Sequence, residues 1–113
     1  MHREFVRVPE FEKCWKNLGL TEDDIVSLEQ FLCHHPQAGP VVPGTGGLRK
    51  IRWPLPNRGK SGSIRVVYVD FLLYEKLYFI SAYPKNEKDN LTDEERNSIR
   101  KFIQQLEDEL RRK

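Results

Sequence analysis

Three strand-like runs lie between residues 48 and 83, Leu48–Trp53, Ser63–Phe71 and Glu75–Tyr83, the second of them rich in Val, Ile and Tyr. The loop Pro54–Gly62, with Asn57, Gly59 and Gly62, joins the first two, and the chain turns at Leu72-Leu73 before the third. Such short connections do not accommodate the crossover that parallel neighbours require, so the runs predict an antiparallel meander. The remaining elements must cover that sheet.

Before the meander, residues 3–8 alternate, with Phe5 and Arg7 on one side and Val6 and Val8 on the other, which predicts a short first strand. Pro9 suits the first turn of a helix whose apolar positions are Phe11, Cys14, Trp15 and Leu18, and Asn17 and Gly19 supply the stop. A second helix opens at Thr21-x-x-Asp24, close to a capping box, carries Ile25, Leu28, Phe31 and Leu32, and ends at His34-His35-Pro36. The pair predicts a helical hairpin. Residues 36–47 are a proline- and glycine-rich loop. After the meander, Thr92-x-x-Glu95 is a full capping box, and Ile99, Phe102, Ile103, Leu106 and Leu110 mark an amphipathic final helix. The order β-α-α-β-β-β-α defines an α+β class: a mostly antiparallel sheet on an N-terminal helical hairpin, with a C-terminal amphipathic helix. At 113 residues this is read as one domain spanning 1–113. No apolar run is long enough to span a bilayer, and the charged start does not resemble a signal peptide. Cys14 and Cys33 lack metal-ligand spacing and are read as buried thiols of a reducing, cytoplasmic compartment.

Charge is sharply segregated. From Gln30 to Val69 there is no acidic residue, while Arg49, Lys50, Arg52, Arg58, Lys60 and Arg65 all fall in that window. The net charge of +2 hides this separation. A cationic β-region carrying Trp53, Tyr68 and Tyr83 suits a polyanion with stackable bases; the competing reading is a solvated basic face. Dinucleotide and Walker phosphate loops, HExxH, CxxC and GxSxG are all missing, so Lys, Arg and Tyr remain as the chemistry-bearing residues. On the first meander strand Lys50 and Arg52 share a face with Leu48, and Arg49 lies with Ile51 and Trp53 on the other. Arg65 shares a face with Ser63, Val67 and Val69, which requires an anion or an acidic partner such as Asp70, Glu75 or Glu87. Tyr83 ends the third run, and Lys85 and Lys88 follow beside Glu87 and Asp89. If these groups converge, they can cleave RNA without a metal, by attack of a ribose 2′-OH on the adjacent phosphorus.

Three segments carry a family resemblance: Gly46-Gly47-Leu48-Arg49-Lys50-Ile51-Arg52-Trp53; Gly59-Lys60-Ser61-Gly62-Ser63-Ile64-Arg65-Val66-Val67-Tyr68; and Ala82-Tyr83-Pro84-Lys85-Asn86-Glu87-Lys88-Asp89-Asn90-Leu91-Thr92. Together they resemble RelE/HigB-type toxins of bacterial toxin–antitoxin modules, nearest the HigB-type, phage-derived Gp49-like branch of the RelE/ParE superfamily. The resemblance implies a RelE-like fold and a ribosome-dependent, metal-independent endoribonuclease that cuts mRNA in the A site. It implies no cofactor and no metal. Its partners would be the ribosome, mRNA and a cognate antitoxin with a helix-turn-helix domain. Arg65 then resembles the central phosphate-binding arginine, and Lys85 and Lys88 the basic residues that act as base or phosphate contact. Tyr83 would orient or stack, and Lys50, Arg52, Lys60 and Arg49 would hold RNA. Pro84 departs from the family pattern by stiffening the entry to its loop. Two alternatives stay open: a non-enzymatic ParE-like inhibitor of DNA gyrase, and a nucleic-acid-binding module without catalysis.

Overall fold

A computed structural model describes residues 2–55, 63–85 and 90–112. In chain order the elements are β1 (Glu4–Arg7), α1 (Pro9–Asn17), α2 (Glu22–His34), β2 (Leu48–Pro54), β3 (Ser63–Phe71), β4 (Lys76–Pro84) and α3 (Asp93–Arg111). A single 3-10 turn, Leu72–Tyr74, joins β3 to β4.

β2, β3 and β4 form the expected antiparallel meander. β1 pairs with β4 and runs parallel to it, giving the sheet order β1-β4-β3-β2. That parallel edge was not legible in the sequence, because the alternation of residues 3–8 fixes faces but not a neighbour. Both long helices open on complete capping boxes, Thr21 with Asp24 and Thr92 with Glu95. Acidic residues fill the first turn of each, where the helix dipole favours them. α1 ends where Gly19 takes a positive φ of 76° and its N–H reaches the Lys16 carbonyl.

The sheet is covered on both faces. Phe11, Trp15, Ile25, Leu28 and Leu32 of α1 and α2 pack on Ile51, Ile64, Val66, Tyr68, Leu77 and Phe79. Ile103, Leu106 and Leu110 of α3 pack on Leu48, Val67, Val69 and Phe71 on the opposite face. β3 is therefore buried on both sides; each large side chain fully buried there contributes roughly 1.5–3 kcal/mol. One bulge interrupts the ladder. Val67 pairs with Ser81 but Tyr68 pairs with Phe79, which leaves Ile80 as the extra residue of β4. Before the bulge Leu77 and Phe79 face α1 and α2; after it Ala82 takes that face and Tyr83 turns to the other.

Polar contacts complete the packing. Arg3 makes a two-pronged pair with Asp70, Nε to Oδ1 at 2.7 Å and Nη2 to Oδ2 at 3.2 Å, with both side chains 2% exposed. The pair ties the segment before β1 to β3, two strands away, and the hydrogen bond to Asp70 raises the arginine's pKa further. Arg7 reaches from β1 to Glu22 and Glu29 of α2. Tyr68 is fully buried; its hydroxyl donates to the Pro36 carbonyl at 3.0 Å and accepts from the Gly39 N–H at 3.0 Å. A Cβ at Gly39 would lie 2.9 Å from the Lys50 carbonyl oxygen, so the 36–40 loop approaches β2 only through glycine.

Burial pushes the Tyr68 phenol above its ordinary value of 10.0. The neutral form is thus favoured on folding, so its stabilisation is complete below about pH 10 and is lost as pH rises through the folded value. Tyr68→Phe leaves the Gly39 N–H and the Pro36 carbonyl buried without that partner, and is expected to cost about 1–3 kcal/mol in urea unfolding at neutral pH. The gap between the variants should narrow above pH 10; an unchanged urea midpoint at neutral pH would refute this account of the hydroxyl.

Candidate active site

The cross-strand register brings predicted residues together. Arg52 on β2 pairs with Arg65 on β3, and Arg65 pairs with Tyr83 on β4. The next row inward is Lys50, Val67 and Ser81. These rows lie on the face covered further along by α3. Tyr83 joins them because of the bulge at Ile80; uninterrupted alternation from Leu77 and Phe79 would have aimed it at α1 and α2.

Directly opposed cations on neighbouring strands repel, because side chains in such pairs stand about 5 Å apart. Arg52 is exposed, whereas Arg65 and Lys50 are half-buried. The Nε of Arg65 is shielded from solvent. Asp70, one of the acids expected for Arg65, belongs to Arg3 on the other face of β3. Glu87 lies outside the described residues. Concentrated positive charge at one sheet end, with an aromatic ring beside it, is an arrangement that a phosphodiester relieves.

Behind the row lies a cleft of about 540 Å³. Its floor includes Leu48, Lys50, Val67 and Ser81, and Tyr83 and Pro84 stand at its rim. Leu91 and Ile99 form one wall, and Cys14, Asn17 and Leu18 at the end of α1 form the opposite one. α1 reaches this position because β1 pairs only with residues 76–79, so α1 packs against β4. Ser81, Asn17 and Cys14 were missed by sequence reasoning. For Ser81 the available signal was the broken alternation Leu77, Phe79, Ala82, which marks the bulge and reorients the strand's end; the placing of Cys14 and Asn17 had none.

Other expected residues are placed elsewhere. Arg49 lies on the α1/α2 face, and its Nη1 donates to the carbonyls of Gly39 at 2.7 Å and Gln37 at 3.3 Å. It therefore braces the 36–40 loop, and it is not brought to the row as an RNA contact. Tyr68 is buried, and Trp53 packs against Phe31 with ring centroids 5.3 Å apart, so of the three aromatics read as stackable only Tyr83 borders the cleft. Lys85 is exposed just beyond β4. Lys60 and Lys88 lie outside the described residues. Among the described residues, no three His, Cys, Asp or Glu side chains converge on a metal-sized site.

Residues 43–112 match the family model of the RelE toxin of RelE/RelB toxin–antitoxin systems. The fold is similar to that of E. coli toxin RelE, solved in the free state as a double arginine-to-alanine mutant. The TM-score is 0.57 and the identity 16%, over 76% of this chain and 86% of that one.

The opposed arginines generate an expectation about stability. Arg52→Gln should stabilise the fold by a few tenths to about 1 kcal/mol in urea unfolding, because it removes repulsion from Arg65. A loss of stability would contradict the arrangement.

Proposed function

Since the chain belongs to the RelE toxin family of RelE/RelB toxin–antitoxin systems, we propose that it is a ribosome-dependent endoribonuclease that cuts mRNA in the A site and needs no metal. The observation that carries this reading is the Arg52–Arg65–Tyr83 row, which meets the cleft at Tyr83. In the reaction a base takes the ribose 2′-OH proton, and the 2′-oxygen attacks the adjacent phosphorus. The bond to the 5′-oxygen breaks, and an acid protonates that leaving oxygen, which yields a cyclic phosphate end. Arg65 braces the phosphoryl oxygens as negative charge grows in the transition state. Lys50 and Arg52 hold the flanking backbone, and Tyr83 orients a base by stacking. Lys85 and Lys88 are the proton-carrying or phosphate-contacting groups after β4, with Lys60 as a further backbone contact.

A toxin of such a system has a cognate antitoxin as partner. We assign that antitoxin a helix-turn-helix domain, and the toxin's place of action to cytoplasmic ribosomes. Among the described residues no helix is long and apolar enough to cross a membrane.

The test is cleavage of end-labelled mRNA on programmed ribosomes, with and without EDTA. Wild-type cuts should survive EDTA, and Arg65→Ala should slow them by about 10²–10³-fold, the usual effect of removing one transition-state charge partner, while the variant still folds. Naked RNA as substrate reports whether the ribosome is needed. Equal cutting by the Arg65 variant would remove Arg65 from the site. No cutting by folded wild type, with supercoiling blocked, would identify a gyrase inhibitor instead.

A further inference from the structure

We propose that the cleft behind the Arg52–Arg65–Tyr83 row is a nucleobase pocket, in which the side-chain amide of Asn17 reads the edge of one base of the RNA strand. The inference rests on RNA being the ligand of the site, and it adds where one base goes and what recognises it.

The cleft's volume of about 540 Å³ falls within the roughly 300–1,000 Å³ of pockets that hold small organic ligands. Leu18, Leu48, Val67 and Ile99 give it apolar walls, which suit the faces of a planar heterocycle. Lys50 lines the cleft, and the Arg52–Arg65 pair stands in the next row of the sheet, so positive charge adjoins the apolar walls. A nucleotide has the same division, an anionic phosphate joined to a flat and largely uncharged base. Tyr83 belongs both to the row and to the rim, so its ring stands where phosphate and base subsites meet.

Asn17 supplies the recognition. It is the last residue of α1, it is exposed, and its side-chain amide has no hydrogen-bond partner among the described residues. The helix that presents it is firmly held: Phe11 and Trp15 are buried, and the Trp15 indole N–H donates to the Thr21 carbonyl at 3.0 Å. Preorganisation of this kind is what a reading group requires. Ser81 adds a hydroxyl at the floor, 3.6 Å from the Cys14 sulfur, a weak contact that leaves the hydroxyl able to serve a ligand. An amide presents a donor and an acceptor side by side, the complement of adenine's amino group and neighbouring ring nitrogen. A carboxylate offers acceptors alone, which favours amino-bearing edges such as that of cytosine. Asn17 lies outside residues 43–112, so this discrimination is carried by the part of the chain that the family model does not match.

The experiment is an NMR titration of the ¹⁵N-labelled full chain with adenosine 3′-monophosphate, cytidine 3′-monophosphate and ribose 5-phosphate. The adenosine nucleotide should shift the Asn17 side-chain amide signals and bind about tenfold more tightly than the base-free phosphate. Asn17→Ala should weaken the adenosine nucleotide by about fivefold or more, the loss of one two-point base contact, and leave ribose 5-phosphate unchanged. Asn17→Asp, which keeps the side chain's shape, should invert or flatten the preference of adenosine over cytidine. Arg65→Ala should weaken all three ligands. Equal binding of nucleotide and ribose phosphate, or an unaltered base preference in both Asn17 variants, would overturn the pocket. These outcomes are separable from ribonuclease activity. Binding at Asn17 by a protein that cuts no mRNA would sink the ribonuclease reading alone, and cutting by a protein blind to the base would sink the pocket alone.

Discussion

The whole architecture depends on β3 being buried from both sides. Val66 and Tyr68 are fully enclosed beneath α1 and α2, while Val67, Val69 and Phe71 are enclosed beneath α3. A strand in that position cannot slip its register, because a shift of one residue would exchange its two faces and put Asp70 and Arg65 into apolar layers. Neighbours on either side are then fixed, with β2 and β4 locked residue by residue to β3. Arg65 lies near the start of the strand, where the apolar cover gives way to the cleft. The rigidity that holds the core thus also holds the guanidinium.

Two features break local rules at that end, and both shape the candidate site. The bulge at Ile80 interrupts a ladder that is otherwise regular between β3 and β4, and it delivers Tyr83 to the cationic face. The juxtaposition of Arg52 and Arg65 works against folding, since opposed like charges destabilise a strand pair. Violations of this kind collect at functional sites. Further along the same sheet, apolar pairs such as Leu48 with Val69 show no comparable conflict.

Most of the scaffold could be read directly from the sequence. Capping boxes at Thr21 and Thr92 set two helix starts, and the apolar positions of α3 named the side chains that bury, Ile103, Leu106 and Leu110. The row Arg52–Arg65 was partly legible, because strand alternation puts each arginine on a definite face. The parallel pairing of β1 was not, since a strand's partner depends on tertiary packing. Arg49 entered the RNA contacts through the family resemblance, while alternation already put it on the other face from Lys50, and there the carbonyl of Gly39 takes its guanidinium. Tyr68 and Trp53 were counted with Tyr83 on composition, and plain alternation would have kept all three on one face; the bulge at Ile80 is what puts Tyr83 on the other. The cleft wall made by the end of α1 left no mark in the sequence, because it depends on where the short β1 stops and on which edge of β4 is left open.

The segregation of charge follows the sheet and not the helical layers that cover it. α2 on one face carries Glu22, Asp23, Asp24 and Glu29, and α3 on the other carries Asp93, Glu94, Glu95, Glu107, Asp108 and Glu109, so Lys50, Arg52 and Arg65 are a local cationic strip of the sheet and not one whole face of the molecule. With a net charge of only +2 and its cations gathered in one strip, the molecule attracts an anion through that strip alone, and the attraction fades within about one Debye length, roughly 8 Å at physiological salt. Close contact rather than long-range pull then decides which surface an anionic ligand meets.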